Sequence, residues 1–96
     1  MVGYEVSLDY PYTAVVGQEY AISATITCPT GCVRGNLVVL LDGNNIIQLD
    51  TPNIGFDNSY NETVAAPYGD RSPPSSSGAF SLTDDGVVFD EPGEYT

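Results

Sequence analysis

Two cysteines with three residues between them are the side chains of this sequence best suited to covalent chemistry. Cys28 and Cys32 flank Pro-Thr-Gly, a segment that favours a turn. A zinc site is disfavoured because two thiolates without a nearby histidine supply too few ligands, and the spacing is one residue longer than in a Cys-x-x-Cys redox motif. The sequence favours a disulfide over free thiols, with a metal site third. So short a ring restricts the unfolded chain little, so the predicted bond mainly makes one turn rigid.

A second group of candidate ligands is acidic. Asp84, Asp85, Asp90, Glu91 and Glu94 lie close together near the C-terminal end of the sequence. Calcium is the candidate ion, because it takes several oxygen ligands and the loops of a β-sandwich can gather them from separate turns. We therefore assign a candidate calcium site to Asp84, Asp85, Asp90 and Glu91. The alternative is an ordinary solvated acidic surface, which the lack of EF-hand spacing favours.

Two further patterns concern carbohydrate. The triplet that begins at Asn61 (NET) fits the acceptor pattern for N-glycosylation, which has meaning only in an exported protein of a glycosylating host. The 7 tyrosines, in a chain without tryptophan, could stack on the apolar faces of sugars. A structural role is favoured for most of them, because Tyr4, Tyr10 and Tyr20 keep strand register with apolar residues.

The composition argues against catalysis. The chain contains no histidine and no lysine, so it cannot build a Ser-His-Asp or Cys-His arrangement, a Ser-Lys pair or a Schiff base. Paired carboxylates could still transfer protons, but they need a cleft, and a domain of 96 residues has little interior from which to form one. We predict that the protein is not an enzyme and that it needs no cofactor besides the candidate calcium ion.

The net charge of −11 restricts the partners. Arg34 and Arg71 are the only basic residues, so nucleic acid is excluded as a partner and anionic membranes are disfavoured. No apolar run is long enough to span a bilayer, and residues 1–20 lack the pattern of a signal peptide. We expect a soluble domain without membrane insertion whose partners are other proteins, copies of itself or carbohydrate.

Apolar residues recur at every second position over most of the chain, a pattern typical of strands with one buried face. Residues 4–10 and 19–28 show it most clearly, and each is predicted to form one strand. The unbroken apolar run 37–41 predicts a central strand covered on both sides, and the turn residues 42–45 predict a hairpin with 46–49.

Weaker strands are predicted over 60–66, 79–83 and Val87–Phe89. Residues 67–78 are rich in proline, glycine and serine, a composition that buries too little surface to become ordered, so we predict a flexible loop there. About seven strands with frequent turns indicate an all-β protein, an immunoglobulin-like antiparallel β-sandwich formed by residues 1–96 as a single domain.

Two segments resemble the immunoglobulin-like domains of prokaryotic and viral surface and structural proteins. Residues 35–43 (GNLVVLLDG), followed by 46–47 (II), resemble the strand, Asp-Gly turn and strand at the middle of those modules. Residues 89–96 (FDEPGEYT) resemble the corner that enters their penultimate strand. The resemblance covers about a fifth of the chain and implies that Tyr95 and Thr96 begin a strand. We therefore expect the sandwich formed by residues 1–96 to have an incomplete edge at its C-terminal end.

These observations together favour a non-catalytic structural and interaction module of an extracellular, cell-surface, filament or virion protein. Such a module would contact other proteins through its β edges and loops. One hypothesis is that a strand from a neighbouring subunit completes the open edge. The alternative, which we favour, is that the given sequence is cut from a longer protein or that the domain closes differently from the family pattern. A second class of function is a carbohydrate-binding accessory domain of a secreted protein, stabilised by calcium.

Overall fold

The described part of the chain forms β-strands joined by turns and loops, without a helix. The computed structural model describes residues 3–66 and 78–96, so the loop predicted over 67–78 lies outside the described residues except for Gly78. No helix long and apolar enough to cross a membrane occurs in the two described ranges. The eight strands are β1 (Glu5–Asp9), β2 (Glu19–Tyr20), β3 (Ser23–Cys28), β4 (Asn36–Leu41), β5 (Asn44–Asp50), β6 (Tyr60–Ala65), β7 (Phe80–Leu82) and β8 (Val87–Phe89).

The eight strands form three small antiparallel sheets. The first sheet has the order β1-β3-β6, the second has the order β2-β8-β7, and β4 and β5 form a two-stranded hairpin. The all-β antiparallel class is confirmed. The count differs from the expected seven or so strands because the strand predicted over 19–28 is divided into β2 and β3.

This division places the two halves of one apolar pattern in different sheets. β2 pairs with β8, whereas β3 pairs with β1 and β6. The main chain changes sheets at Ala21 and Ile22, and the carbonyl of Ile22 accepts a hydrogen bond from the amide of Ala66 at 2.8 Å. Gly86 permits the crossing, because a Cβ at that position would overlap the carbonyl group of Tyr20. Alternation predicts which side chains turn inward but not where a strand leaves its sheet.

The core is built from alternate residues of β3 and from buried apolar residues of the other strands and of the segments next to them. Ala24, Ile26 and Cys28 are buried on β3, while the threonines between them are half-buried on the opposite face. The predicted alternation of β3 is therefore confirmed. The other buried members of the core are Ile22, Leu41, Ile46, Ile47, Leu49, Val64, Ala66, Phe80, Val87 and Phe89.

The β4–β5 hairpin turns over two residues, fewer than the four expected. Asp42 and Gly43 both have positive φ, 49° and 80°, as a type I′ turn requires. The carbonyl of Leu41 accepts a hydrogen bond from the side-chain amide of Asn44 at 3.3 Å, which helps to close the turn. β5 therefore begins at Asn44, two residues earlier than predicted, and a bulge near Leu40 absorbs one extra residue of β5.

The prediction that residues 37–41 form a central strand covered on both sides is wrong. Among the described strands, β4 pairs with β5 alone. Val38 is 42% exposed and Leu40 is 55% exposed, while Leu37 and Val39 pack against the core. An unbroken apolar run therefore belongs here to an edge strand with one apolar face in the core and a second facing solvent.

Replacing Gly86 by alanine should destabilise the fold by about 3 kcal/mol, because the new methyl group meets main-chain atoms of β2, which cannot rotate away. The Cβ would also lie 3.2 Å from the Cα of Ala21. The free energy of unfolding in urea measures the effect. Gly3→Ala is the matched control, since a Cβ there has nothing within 4 Å. Equal stabilities for the two variants would contradict the close β2–β8 packing.

Candidate functional site

The two cysteines form a buried disulfide at the end of β3. Cys28 and Cys32 are 0% and 1% exposed, with Cα atoms 6.2 Å apart. The turn between them contains Gly31, whose φ is 68° and whose amide donates to the carbonyl of Asn58 at 3.1 Å. The disulfide turn is thereby attached to the loop before β6, and it offers no exposed sulfur for redox chemistry.

The structure does not gather the candidate calcium ligands. Asp84 and Asp85 lie in the turn before β8, and Asp90 and Glu91 lie after it. A strand of this length separates its two ends by about 10 Å. Asp90 accepts a hydrogen bond from the hydroxyl of Ser81 at 2.6 Å. Within residues 3–66 and 78–96, no group of three or more acidic, histidine or cysteine side chains could hold a metal ion. Calcium binding stays a prediction.

The candidate glycosylation residue lies on an edge strand. Asn61 is exposed on β6, opposite Thr27 of β3. Its side-chain oxygen accepts a hydrogen bond from the Thr27 hydroxyl at 3.3 Å. The hydroxyl of Thr63, the third residue of the acceptor triplet, lies 2.8 Å from that of Thr25. The amide is accessible from solvent, and modification at Asn61 stays a prediction.

The face of β1 that lies on the core side of the first sheet is half-exposed. Val6 is directly opposite Ile26 of β3, and Leu8 is opposite Ala24. Residues directly opposite in an antiparallel pair project to the same face of the sheet. Ile26 and Ala24 are 3% and 0% exposed, yet Val6 and Leu8 are 52% and 45% exposed. The core face of the first sheet is therefore covered over β3 and open over β1, contrary to the burial that the alternation of residues 4–10 predicts.

A free strand edge lies beside this open face. The two-residue turn makes Leu41 and Asn44 a closing pair, so main-chain groups of Leu37, Val39 and Leu41 point toward β5. Those of Val38 and Leu40 point to the other side, where no described strand lies. The amide of Asp42 points to this side too, and it donates to the carbonyl of Thr96 at 2.8 Å.

The open face and the free edge border one groove, which we call the edge groove. Its volume is about 820 Å³. Its floor includes Ile22, Ile46 and Phe89 of the core. Its walls are formed by Leu8, Tyr10, Tyr12 and Val16 on the β1 side, by Val39, Leu40 and Leu41 of β4, and by residues 91–96.

The edge groove is apolar with an acidic rim. Glu91 and Glu94 are exposed carboxylates on its wall, and no arginine is found among the described residues that line it. Asp42 lies at the end of β4, where it accepts a hydrogen bond from the amide of Thr96 at 2.7 Å. A ligand that enters the groove therefore meets apolar side chains within and negative charge at the mouth.

Tyr95 fixes the wall of the edge groove that residues 91–96 form. Its ring packs on Phe89, with centroids 4.6 Å apart, and its hydroxyl donates to the carbonyls of Glu91 and of Ala79, the latter at 3.2 Å. Burial raises the pKa of the Tyr95 phenol above its usual 10.0, and the carboxylates of Glu91, Asp42 and Asp90 raise it further. The neutral phenol is the form that this packing requires.

Sequence reasoning missed the edge groove because it assigned one buried face to every alternating strand. The available signal was a shortage of covering strands. β1 presents Val6 and Leu8 inward, but few strands of the described chain can lie opposite them. Counting the strands available to cover β1 could have exposed the deficit, whereas periodicity within one strand could not.

We expect Tyr95→Phe to lower the free energy of unfolding at neutral pH, because the carbonyls of Ala79 and Glu91 lose the hydroxyl that donates to them. The raised pKa stabilises the native state fully below pH 10.0, and this contribution is lost as the pH rises through the raised native value. The variant should therefore lose less stability above pH 10 than the parent protein. Urea denaturation from pH 7 to 11 measures both effects, with Tyr12→Phe, whose side chain is 94% exposed, as the control. Identical pH profiles for Tyr95→Phe and the parent would contradict this assignment.

The comparisons with known proteins returned no match for this chain, whether with protein-family models, with curated proteins or with solved structures.

Proposed function

We propose that this protein is a non-catalytic structural and interaction module that contacts other proteins through its β edges and loops. The edge groove is the observation that carries the proposal. Half-exposed apolar residues on the inward face of β1 lie beside an edge of β4 that pairs with no other described strand. A contiguous apolar surface of this kind marks an interaction site more often than an ordinary solvated surface.

An immunoglobulin-like β-sandwich is the architecture we propose. The hydroxyl of Tyr95 donates to the carbonyl of Glu91, four residues upstream, after a Pro-Gly turn. This arrangement is similar to the tyrosine corner at the entry to a late strand of immunoglobulin-like domains. The buried strand β3 with β1 and β6 on either side supports the same assignment, with the β4–β5 hairpin as part of the opposite layer.

We place the protein outside the cell or on a cell or virion surface. The buried Cys28–Cys32 disulfide supports this location, because such bonds persist in oxidising compartments. A net charge of −11 without any lysine suits a surface that stays dispersed in solution. The lack of histidine and lysine supports a role in contacts rather than in catalysis.

Carbohydrate binding is a second candidate function, and one aromatic pair favours it. Tyr10 and Tyr12 lie at the mouth of the edge groove with ring centroids 5.7 Å apart. Tyr12 is 94% exposed, so its ring is free to stack on a sugar. In this alternative the protein is an accessory domain of a secreted protein, with calcium as a stabilising ion.

Site-specific photo-cross-linking tests the proposed function. A photoreactive amino acid at Leu8 or Leu40 should form an adduct of constant mass with one protein of the source cell surface or particle. Phe56 provides the matched control, because it is apolar and 92% exposed but does not line the edge groove. The adduct should be at least about tenfold weaker from this position, since specific contacts concentrate at one apolar patch.

Equal cross-linking from all three positions, or none from Leu8 and Leu40, would contradict a protein-contact role for the edge groove. Saturable binding on a glycan array that Tyr12→Ala abolishes would favour the carbohydrate alternative instead.

A further inference from the structure

We propose that the edge groove binds an extended peptide segment of a basic partner, which adds to the free edge of β4 as a new strand. The inference rests on the proposed function and specifies its site, its mode of contact and the chemistry of its partner. In this mode, main-chain hydrogen bonds supply much of the affinity, and alternate side chains of the ligand enter the apolar groove.

The free edge supplies the main-chain partners. The amides and carbonyls of Val38 and Leu40 point away from β5, so they can pair with a new strand. The hydrogen bond from the amide of Asp42 to the carbonyl of Thr96 lies on the same side of the hairpin. Thr96 lies outside the described strands, but its carbonyl already accepts a main-chain hydrogen bond at the turn end of this edge. The next outward-pointing main-chain groups along β4 are those of Leu40 and Val38.

The open face supplies the apolar contacts. A strand added to β4 continues the layer of the β4–β5 hairpin over β1, where Leu8 is 45% exposed on a face that is buried elsewhere. Six residues of strand in this position would be about 20 Å long, with neighbours about 5 Å away in its own sheet and a facing sheet about 10 Å away.

The charge of the protein selects the partner. Glu91 and Glu94 place two carboxylates on the wall formed by residues 91–96, and Asp42 lies beside Thr96 at the end of that wall. A second copy of this chain is disfavoured as the occupant, because it also carries a net charge of −11 and contains no lysine to place against them. A segment in which valine, isoleucine or leucine alternates with lysine or arginine satisfies both the apolar interior and the acidic rim.

The test uses the purified protein and a blocked eight-residue probe peptide, VKVTVKVT, labelled for fluorescence anisotropy. The probe should bind saturably, and replacing its lysines with glutamate should weaken binding by at least about tenfold. Glu91→Gln combined with Glu94→Gln should reduce affinity for the lysine peptide. Equal affinity for the lysine and glutamate peptides would overturn the assignment of a basic partner.

Two N-methylated probes test strand pairing without altering the protein. One carries N-methyl groups on the valines and the other on the remaining residues, so each loses the donors of one strand edge. Since only one edge can face β4, one probe should bind at least about tenfold more weakly than the other. Equal affinity for the two probes would show apolar adsorption without strand addition and would overturn the proposal.

A matched pair of protein variants locates the site. Leu8→Glu places a charge in the groove, whereas Ser7→Glu places the same charge on the opposite face of β1. Only the first should abolish binding, with thermal unfolding used to verify that both variants fold. Equal binding to both variants would overturn the location.

No probe binding, together with cross-links from Leu8 and Leu40, would overturn the basic-strand inference and leave the proposed function standing. If neither probe binding nor these cross-links were observed, the basic-strand inference and the proposed function would both be overturned. A doubled mass in sedimentation that Leu8→Glu abolishes would assign the groove to a second copy and overturn the basic partner.

Discussion

The burial of alternate side chains along β3 is the constraint on which the rest of the structure depends. Ala24, Ile26 and Cys28 are almost fully enclosed, and both neighbours of β3 must take the register that places their own alternate residues on the same face. A shift by one residue would expose all three of these side chains and bury the threonines between them. The inward orientation of Val6 and Leu8 follows directly from this register, although both side chains remain about half exposed.

The same constraint explains why the edge groove is a fixed feature of the fold. Val6 and Leu8 cannot turn away from the inner layer without breaking the β1–β3 ladder, so their apolar surface persists in the isolated protein. Phe89 and Tyr95 keep the other wall in place through ring packing and through hydrogen bonds from the Tyr95 hydroxyl. The groove is therefore held open by well-formed elements on both sides, which favours binding without a large ordering cost.

Much of the fold was predictable from the sequence, and the candidate site was not. Alternation predicted β3, β6 and β7, because it reflects which face of a strand is buried. Turn residues predicted the β4–β5 hairpin and the short strand β8, each to within a few residues. The break between β2 and β3 depends on the distant Gly86, which no local pattern reveals. Likewise, the exposure of Leu8 and Leu40 depends on which strands lie opposite them, a property of the assembled layers.

Hydrogen exchange of the amides along β4, followed by NMR, tests the central claim most directly. If β5 is the only partner of β4, the amides of Leu37, Val39 and Leu41 should exchange at least about a hundredfold more slowly than those of Val38 and Leu40. Alternating protection of this kind would show an available strand edge beside the inward face of β1. Uniformly slow exchange at all five positions would show that the edge is already paired, and the edge groove would lose its role as a binding site.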